Sequence, residues 1–106
     1  MTKPINTYDG YLGTLNTTLF TASSKSITKL VQVINDDGGA PVDASLYIVD
    51  TSDNVKKILL PMQSIESNDG RTDTSMHVIR NGEKIVGSAS VEGTIIVEIT
   101  VIEGVS

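Results

Sequence analysis

His77 is the one histidine of the chain, and imidazole is the side chain that titrates nearest neutral pH and most often binds metals. It would serve either as a base or as a metal ligand helped by carboxylates. Its neighbours Met76 and Val78 place it within a strand, and the expectation is a strand residue on the polar face. There is no cysteine, which excludes disulfides, a thiolate nucleophile and thiolate metal sites. Two acidic loops, Asp50-Thr51-Ser52-Asp53-Asn54 and Asp36-Asp37, are the candidates for calcium. That ion wants about six to eight oxygens, and the helix–loop–helix ligand spacing is absent. Turn chemistry by itself explains Asp and Asn at both places. Any pair of the 13 acids would serve glycoside hydrolysis, so no particular pair is marked. Gly87-Ser88-Ala89-Ser90 lacks the glycine pattern of a nucleophile elbow. Asp37-Gly38-Gly39 lacks the Lys and Ser/Thr of a phosphate loop. No catalytic, cofactor or metal residue is assigned, and the chain is not expected to be an enzyme.

Composition narrows the partners. The formal net charge is -5, and of the 8 basic residues only Lys56 and Lys57 are adjacent. Nucleic acid demands clustered cations to displace counterions, so it is not an expected partner. Met1-Thr2-Lys3-Pro4 opens no apolar signal region, and no apolar run approaches the roughly 20 residues of a membrane span. An aqueous compartment, with no membrane partner, is expected. Aromatics are Tyr8, Tyr11, Phe20 and Tyr47, with no tryptophan. The core must therefore be aliphatic, and a stacking platform for sugars is poorly provided.

The elements that carry these residues read as strands. Residues 94–103 place Ile95, Val97, Ile99 and Val101 on one side and the more polar Thr94, Ile96, Glu98, Thr100 and Ile102 on the other. That period of two is a half-buried strand, and its Ile, Val and Thr content suits a pleated surface. Residues 84–91 alternate likewise, with Ile85, Gly87, Ala89 and Val91 on the apolar side. A three-residue loop, Val91-Glu92-Gly93, would join the two as a hairpin, with Ser90 opposite Thr94 and Ala89 opposite Ile95. It would set Gly93 at the left-handed position such loops require.

Upstream, residues 1–11 are polar and lack a core pattern. They are expected as an N-terminal arm ahead of one sandwich domain over residues 12–106. Two readings stand for Tyr8 and Tyr11: a frayed terminus whose tyrosines lean on the domain, or an arm that docks on a neighbouring subunit, tyrosine being enriched at interfaces. Residues 14–22 suggest a short or edge strand. Ser26–Asn35 places Ile27, Val31 and Val33 on one face and Leu30 and Ile34 on the other. Apolar residues on both faces point to a strand covered on both sides. After the loop of residues 36–41, residues 42–50 turn Ala44, Leu46 and Ile48 inward. Residues 56–62 form a strand edged or stopped by Pro61, continued weakly at Ile65 and Ser67. Residues 72–79 form another strand, and Arg80-Asn81-Gly82-Glu83 is a turn. Seven or eight short strands, turns at intervals of about ten residues, and no helical period predict an all-β fold. The expected architecture is an antiparallel β-sandwich, jelly-roll-like or immunoglobulin-like.

Several stretches carry a family likeness. Tyr11-Leu12-Gly13-Thr14-Leu15 runs into Thr17-Thr18-Leu19-Phe20-Thr21. Ser26–Asn35 and Ser45-Leu46-Tyr47-Ile48-Val49 follow, then residues 81–90, Asn81-Gly82-Glu83-Lys84-Ile85-Val86-Gly87-Ser88-Ala89-Ser90, and residues 94–104. In that order they resemble small tail-associated and capsid-associated structural proteins of tailed bacteriophages. The chain departs from the pattern over residues 65–73, which are longer and more polar. The resemblance implies a non-enzymatic virion protein assembled in the host cytoplasm. It would be a capsid decoration or cement subunit, or alternatively a tail, neck or baseplate subunit. Its partners would be itself, as a homotrimer or other symmetric oligomer, and virion proteins such as the major capsid protein. Tyr8, Tyr11, Lys29 and Gln32 are the candidate interface residues. A carbohydrate- or calcium-binding β-sandwich module is the competing class.

Overall fold

The computed structural model describes residues 5–36 and 39–104. Among these the chain forms nine strands and no helix: β1 Ile5–Tyr11, β2 Thr17–Thr21, β3 Ser26–Asn35, β4 Val42–Val49, β5 Val55–Ile65, β6 Gly70–Asp73, β7 Val78–Ile79, β8 Lys84–Ala89 and β9 Ile95–Ile102. They build two antiparallel sheets. One has the order β1-β9-β3-β6, with β7 also paired to β3; the other has the order β2-β8-β4-β5.

The pairings nest. β1 pairs β9, β2 pairs β8, β3 pairs β6 and β4 pairs β5. The chain is thus one long two-stranded ribbon whose tip is the turn after Val49, rolled so that β3 also meets β9 and β4 also meets β8. That is the jelly roll, which decides between the two sandwich topologies expected above. Asp50 shapes the tip: its Oδ1 accepts hydrogen bonds from the backbone N–H of Ser52 (2.8 Å) and Asn54 (2.9 Å), while Asp53 takes a left-handed φ of 64°.

The core is aliphatic. Ile95, Val97, Ile99 and Val101 of β9 are fully buried against Ala44, Leu46 and Ile48 of β4 and Ile85 and Ala89 of β8. Complete burial of a Val or Ile side chain stabilises by about 1.5–3 kcal/mol before the entropy of ordering is set against it.

Four expectations change. First, β8 and β9 do not form a hairpin; they lie in opposite sheets. Their apolar faces meet across the core, where both alternations are satisfied, and Ser90 donates no ladder bond to Thr94 but takes its place beside Asp43. Gly93 does have the left-handed φ of 75°, in an arch that crosses between layers. Second, a register shift between Thr28 and Leu30 makes Lys29 an extra residue in β3. A bulge reverses the alternation, so Ile27 shares the outer face with Leu30 and Ile34 while Val31 and Val33 face the core. Third, the expected strand over residues 72–79 is interrupted: β6 ends at Asp73 and β7 resumes at Val78. Fourth, residues 5–11 extend the first sheet as its edge strand β1, in register with β9 from Ile5↔Ile102 to Tyr11↔Ile96; Met1 to Pro4 lie outside the described residues. Pro61 does not end β5, because an edge strand need not donate on its open side, and Ile65 at the strand's end is fully buried.

Candidate functional site

The outer face of the first sheet is the candidate site. Register fixes which side chains share it, since opposed residues point to the same side. In β9 the inward residues Ile95, Val97, Ile99 and Val101 leave Ile96, Glu98, Thr100 and Ile102 outside. Following the pairings outward from these four gives four rows across the sheet. The first is Ile5, Ile102, Ile27 and Val78; the second Thr7, Thr100 and Leu30; the third Asp9, Glu98, Gln32 and Thr72; the fourth Tyr11, Ile96, Ile34 and Gly70. Ile5 is 59% exposed, Tyr11 50% and Val78 43%. Ile27, Leu30, Ile34, Ile96 and Ile102 are each half-buried.

So two apolar bands flank a polar middle. Thr7 and Thr100 approach to 3.2 Å through their hydroxyls, and the Tyr11 hydroxyl donates to Asp36 at 3.3 Å. Four strands at about 4.8 Å spacing and eight residues at about 3.4 Å rise make a face of about 500 Å². About half of that face, the first and fourth rows together with Leu30, is apolar, so it is an amphipathic face with two separate apolar bands and not one continuous apolar patch.

The candidate residues fall in different places. Tyr11 and Gln32 lie on this face. Lys29 is the exposed bulge residue beside it. Tyr8 is turned to the other side, its ring 4.9 Å from that of Phe20, with its hydroxyl donating to Glu103 at 2.8 Å. That hydrogen bond, followed by desolvation and the carboxylate's charge, raises the Tyr8 pKa above the usual tyrosine value. Ile5, Ile96, Ile102 and Val78 were missed, although the apolar residues among the otherwise polar even positions of residues 94–102 were the available signal.

His77 is buried and stands just ahead of β7, not on a polar strand face. Its backbone N–H donates to Thr28 Oγ1 (2.9 Å) and its carbonyl accepts from Thr28 N–H (2.9 Å). Its Nε2 lies 2.9 Å from Asp73 Oδ2, while Nδ1 is buried and has no hydrogen-bond partner among the described residues. The His77 hydrogen bond is the main cause that lowers the Asp73 pKa, aided by the Ser75 N–H and opposed by desolvation. This pair closes the gap between β6 and β7 over the bulge of β3. At the ribbon tip Asp50 is engaged by the turn, and Asp53 meets Lys84 Nζ at 3.1 Å. Of the second acidic loop Asp36 is described; Asp37 and Gly38, and with them most of Asp37-Gly38-Gly39, lie outside the described residues. Among the described residues no three His, Asp or Glu side chains stand close enough to hold a metal ion. A cavity of about 250 Å³ opens between the sheets beside Val31, Val33, Leu46 and Leu60. Arg71 also lines it, its Nε donating to Gln63 Oε1 at 3.1 Å.

No protein-family model matches the chain, and no curated protein matches it in sequence. Solved structures do. A chain from the acid-stable capsid of the Helicobacter pylori bacteriophage KHP30 matches with a TM-score of 0.62 at 8% identity, covering 96% of this chain and 88% of that one. A chain from Bacillus endospore appendages, disulfide-linked pili, matches with a TM-score of 0.57 at 8% identity, covering 99% and 88%. A family 35 carbohydrate binding module from Clostridium thermocellum reaches 0.45 at 15% identity, covering 93% and 74%. At such identities the first two likenesses speak to the fold and to nothing finer.

Proposed function

We propose that the chain is a non-enzymatic structural subunit of a virion, acting by protein–protein contact, and that it decorates or cements the head. The observation that carries this reading is the outer face of the first sheet: two apolar bands on a rigid layer, drawn from strands at both ends of the chain. A jelly roll of nearly the same extent in a phage capsid supports it. The partners are other virion proteins, the major capsid protein foremost, and further copies of this chain in a symmetric oligomer such as a trimer. Tyr11, Gln32 and Lys29 belong to the contact region, and Tyr8 serves it indirectly by bracing β1 on Phe20. Without cysteine the chain cannot assemble through the disulfide links of the appendage proteins.

Mass spectrometry of purified particles tests the proposal. A head subunit appears at a fixed ratio to the major shell protein and stays with isolated heads, a neck or baseplate subunit appears at a few copies per particle, and a tail subunit goes with isolated tails. Absence from particles, with a monomer in solution whose melting temperature rises only with calcium or a glycan, would overturn the virion reading in favour of a binding module.

A further inference from the structure

The third row of the outer face is out of keeping with its neighbours. Asp9 stands directly opposite Glu98 in the ladder, and like charges so placed weaken a sheet. Neither carboxylate enters any of the four ion pairs of the described residues. No lysine or arginine occupies a position in the four rows, and Lys29, the extra residue of the bulge, makes no ion pair with either acid. Two unpaired acids therefore sit between two bands of Ile, Leu, Val and Tyr.

We propose that this face docks on a different protein chain, whose contact surface is apolar and carries a lysine or arginine set to meet Asp9 and Glu98. It does not pair with its counterpart on a second copy. The proposal rests on the structural-subunit reading above and names its partner's chemistry. Charge decides the occupant. Two copies packed face to face would bring four carboxylates together over rows that hold no cation, Lys29 of each copy standing at the bulge beside them, and a buried charge without a partner is strongly unfavourable. A single cation from another chain relieves both the new interface and the existing repulsion between Asp9 and Glu98. The chain's net charge of -5 steers such an encounter in the same sense. Area supports a repeated partner as well. A face of about 500 Å² falls short of the roughly 800 Å² per partner of a standard interface. Several copies engaging a lattice of identical sites would reach an avidity that one contact lacks.

The test uses purified particles stripped of this chain and offered it back, together with sedimentation velocity on the chain alone. Wild type is compared with D9N/E98Q and with Ile96→Asp; all the substituted side chains point outward, and thermal melts check that each variant is folded. D9N/E98Q should rebind at least about tenfold more weakly, as loss of a buried charge partner does. Its binding should vary less than that of wild type as NaCl rises from about 0.1 M, where the screening length is near 10 Å. The same variant should gain self-association, because the obstacle to pairing between copies has gone, and Ile96→Asp should abolish rebinding. Unchanged rebinding and salt dependence of D9N/E98Q would overturn the proposal. So would self-association of wild type that Ile96→Asp breaks, since the face would then be an interface between copies. Particles that never contained the chain bring down the virion reading instead, and the sedimentation arm then decides the face by itself.

Discussion

Replacing Gly87 by alanine probes how closely β8 packs against its neighbouring strand β4. Gly87 lies in β8, opposite Leu46 of β4 and Thr17 of β2, on the inward side with Ile85 and Ala89. Its φ is not in the left-handed region, so alanine is conformationally allowed there. Where space permits, such a change stabilises by about 0.4–1 kcal/mol by restricting the unfolded chain. Space does not permit it. A Cβ would stand 2.5 Å from Leu46 Cδ2, 2.7 Å from the Ser45 carbonyl oxygen and 3.0 Å from Leu12 Cδ2. Both leucines are fully buried, and the carbonyl belongs to the adjoining strand, so the contact is relieved only by moving β4 or β8. Overpacking of a filled core costs about 1–3 kcal/mol. With a backbone atom involved, we set the net loss near the top of that range, about 2–3 kcal/mol. For a domain of this size that lowers Tm by roughly 10–20 °C. Calorimetry and urea denaturation give the number, with an unchanged m value showing that the unfolded state is not the cause. Adding Leu46→Ala separates the side-chain contact from the carbonyl contact as an interaction energy. A G87A protein as stable as wild type would refute this close approach of β8 to β4.

Three further outcomes follow from other sites. Asn35 is fully buried and its Nδ2 donates to the carbonyls of Ala40 (3.0 Å) and Ile65 (2.9 Å), the second of these bonds being buried; Asn35→Ala should lose about 1–3 kcal/mol in urea denaturation, since the buried bond to Ile65 is lost. A Cβ at Gly93 would meet nothing within 4 Å, but the backbone there has a φ of 75°, so Gly93→Ala should lose only the left-handed penalty of about 1–2 kcal/mol, and Gly93→Asn less. The carboxyl of Asp73 is held below the usual aspartate value, chiefly by His77. A lowered folded value gives stability that is present above the unfolded pKa near 4 and is lost as pH falls through the folded one. Asp73→Asn should therefore flatten the acid limb of a Tm–pH profile below about pH 4, and an unaltered limb would show that the pair does not matter.

Much of the architecture was legible in the order of residues. The inward sets Ala44, Leu46, Ile48 and Ile95, Val97, Ile99, Val101 follow from alternation alone. Gly93 announced a left-handed turn, and the scarcity of aromatics announced an aliphatic core. The bulge at Lys29 was not legible, because an inserted residue leaves no compositional mark while it reverses everything before it. That one shift moved Ile27 to the outer face and completed the first apolar row. His77 was misplaced for a related reason: strand composition continues through residues 74–77, but the backbone leaves the sheet after Asp73 and rejoins β3 only where His77 bonds Thr28.

What local sequence determined is therefore secondary structure and the sidedness of each strand, since steric and hydrophobic periodicity act between residues two apart. What only the tertiary structure decided is adjacency. β8 and β9 satisfy the same alternation as a hairpin or as two layers facing each other, and only the rolled ribbon, with β2 and β4 flanking β8 and β1 and β3 flanking β9, selects the second. The outer face depends on the same choice. Its rows join Ile5, Ile27 and Ile102, or Tyr11, Ile34 and Ile96, from strands far apart along the chain, and Asp9 meets Glu98 only because a ladder brings them opposite. Hydrogen bonds between strands act through space without regard to separation in sequence, so a surface built from them has no local signature.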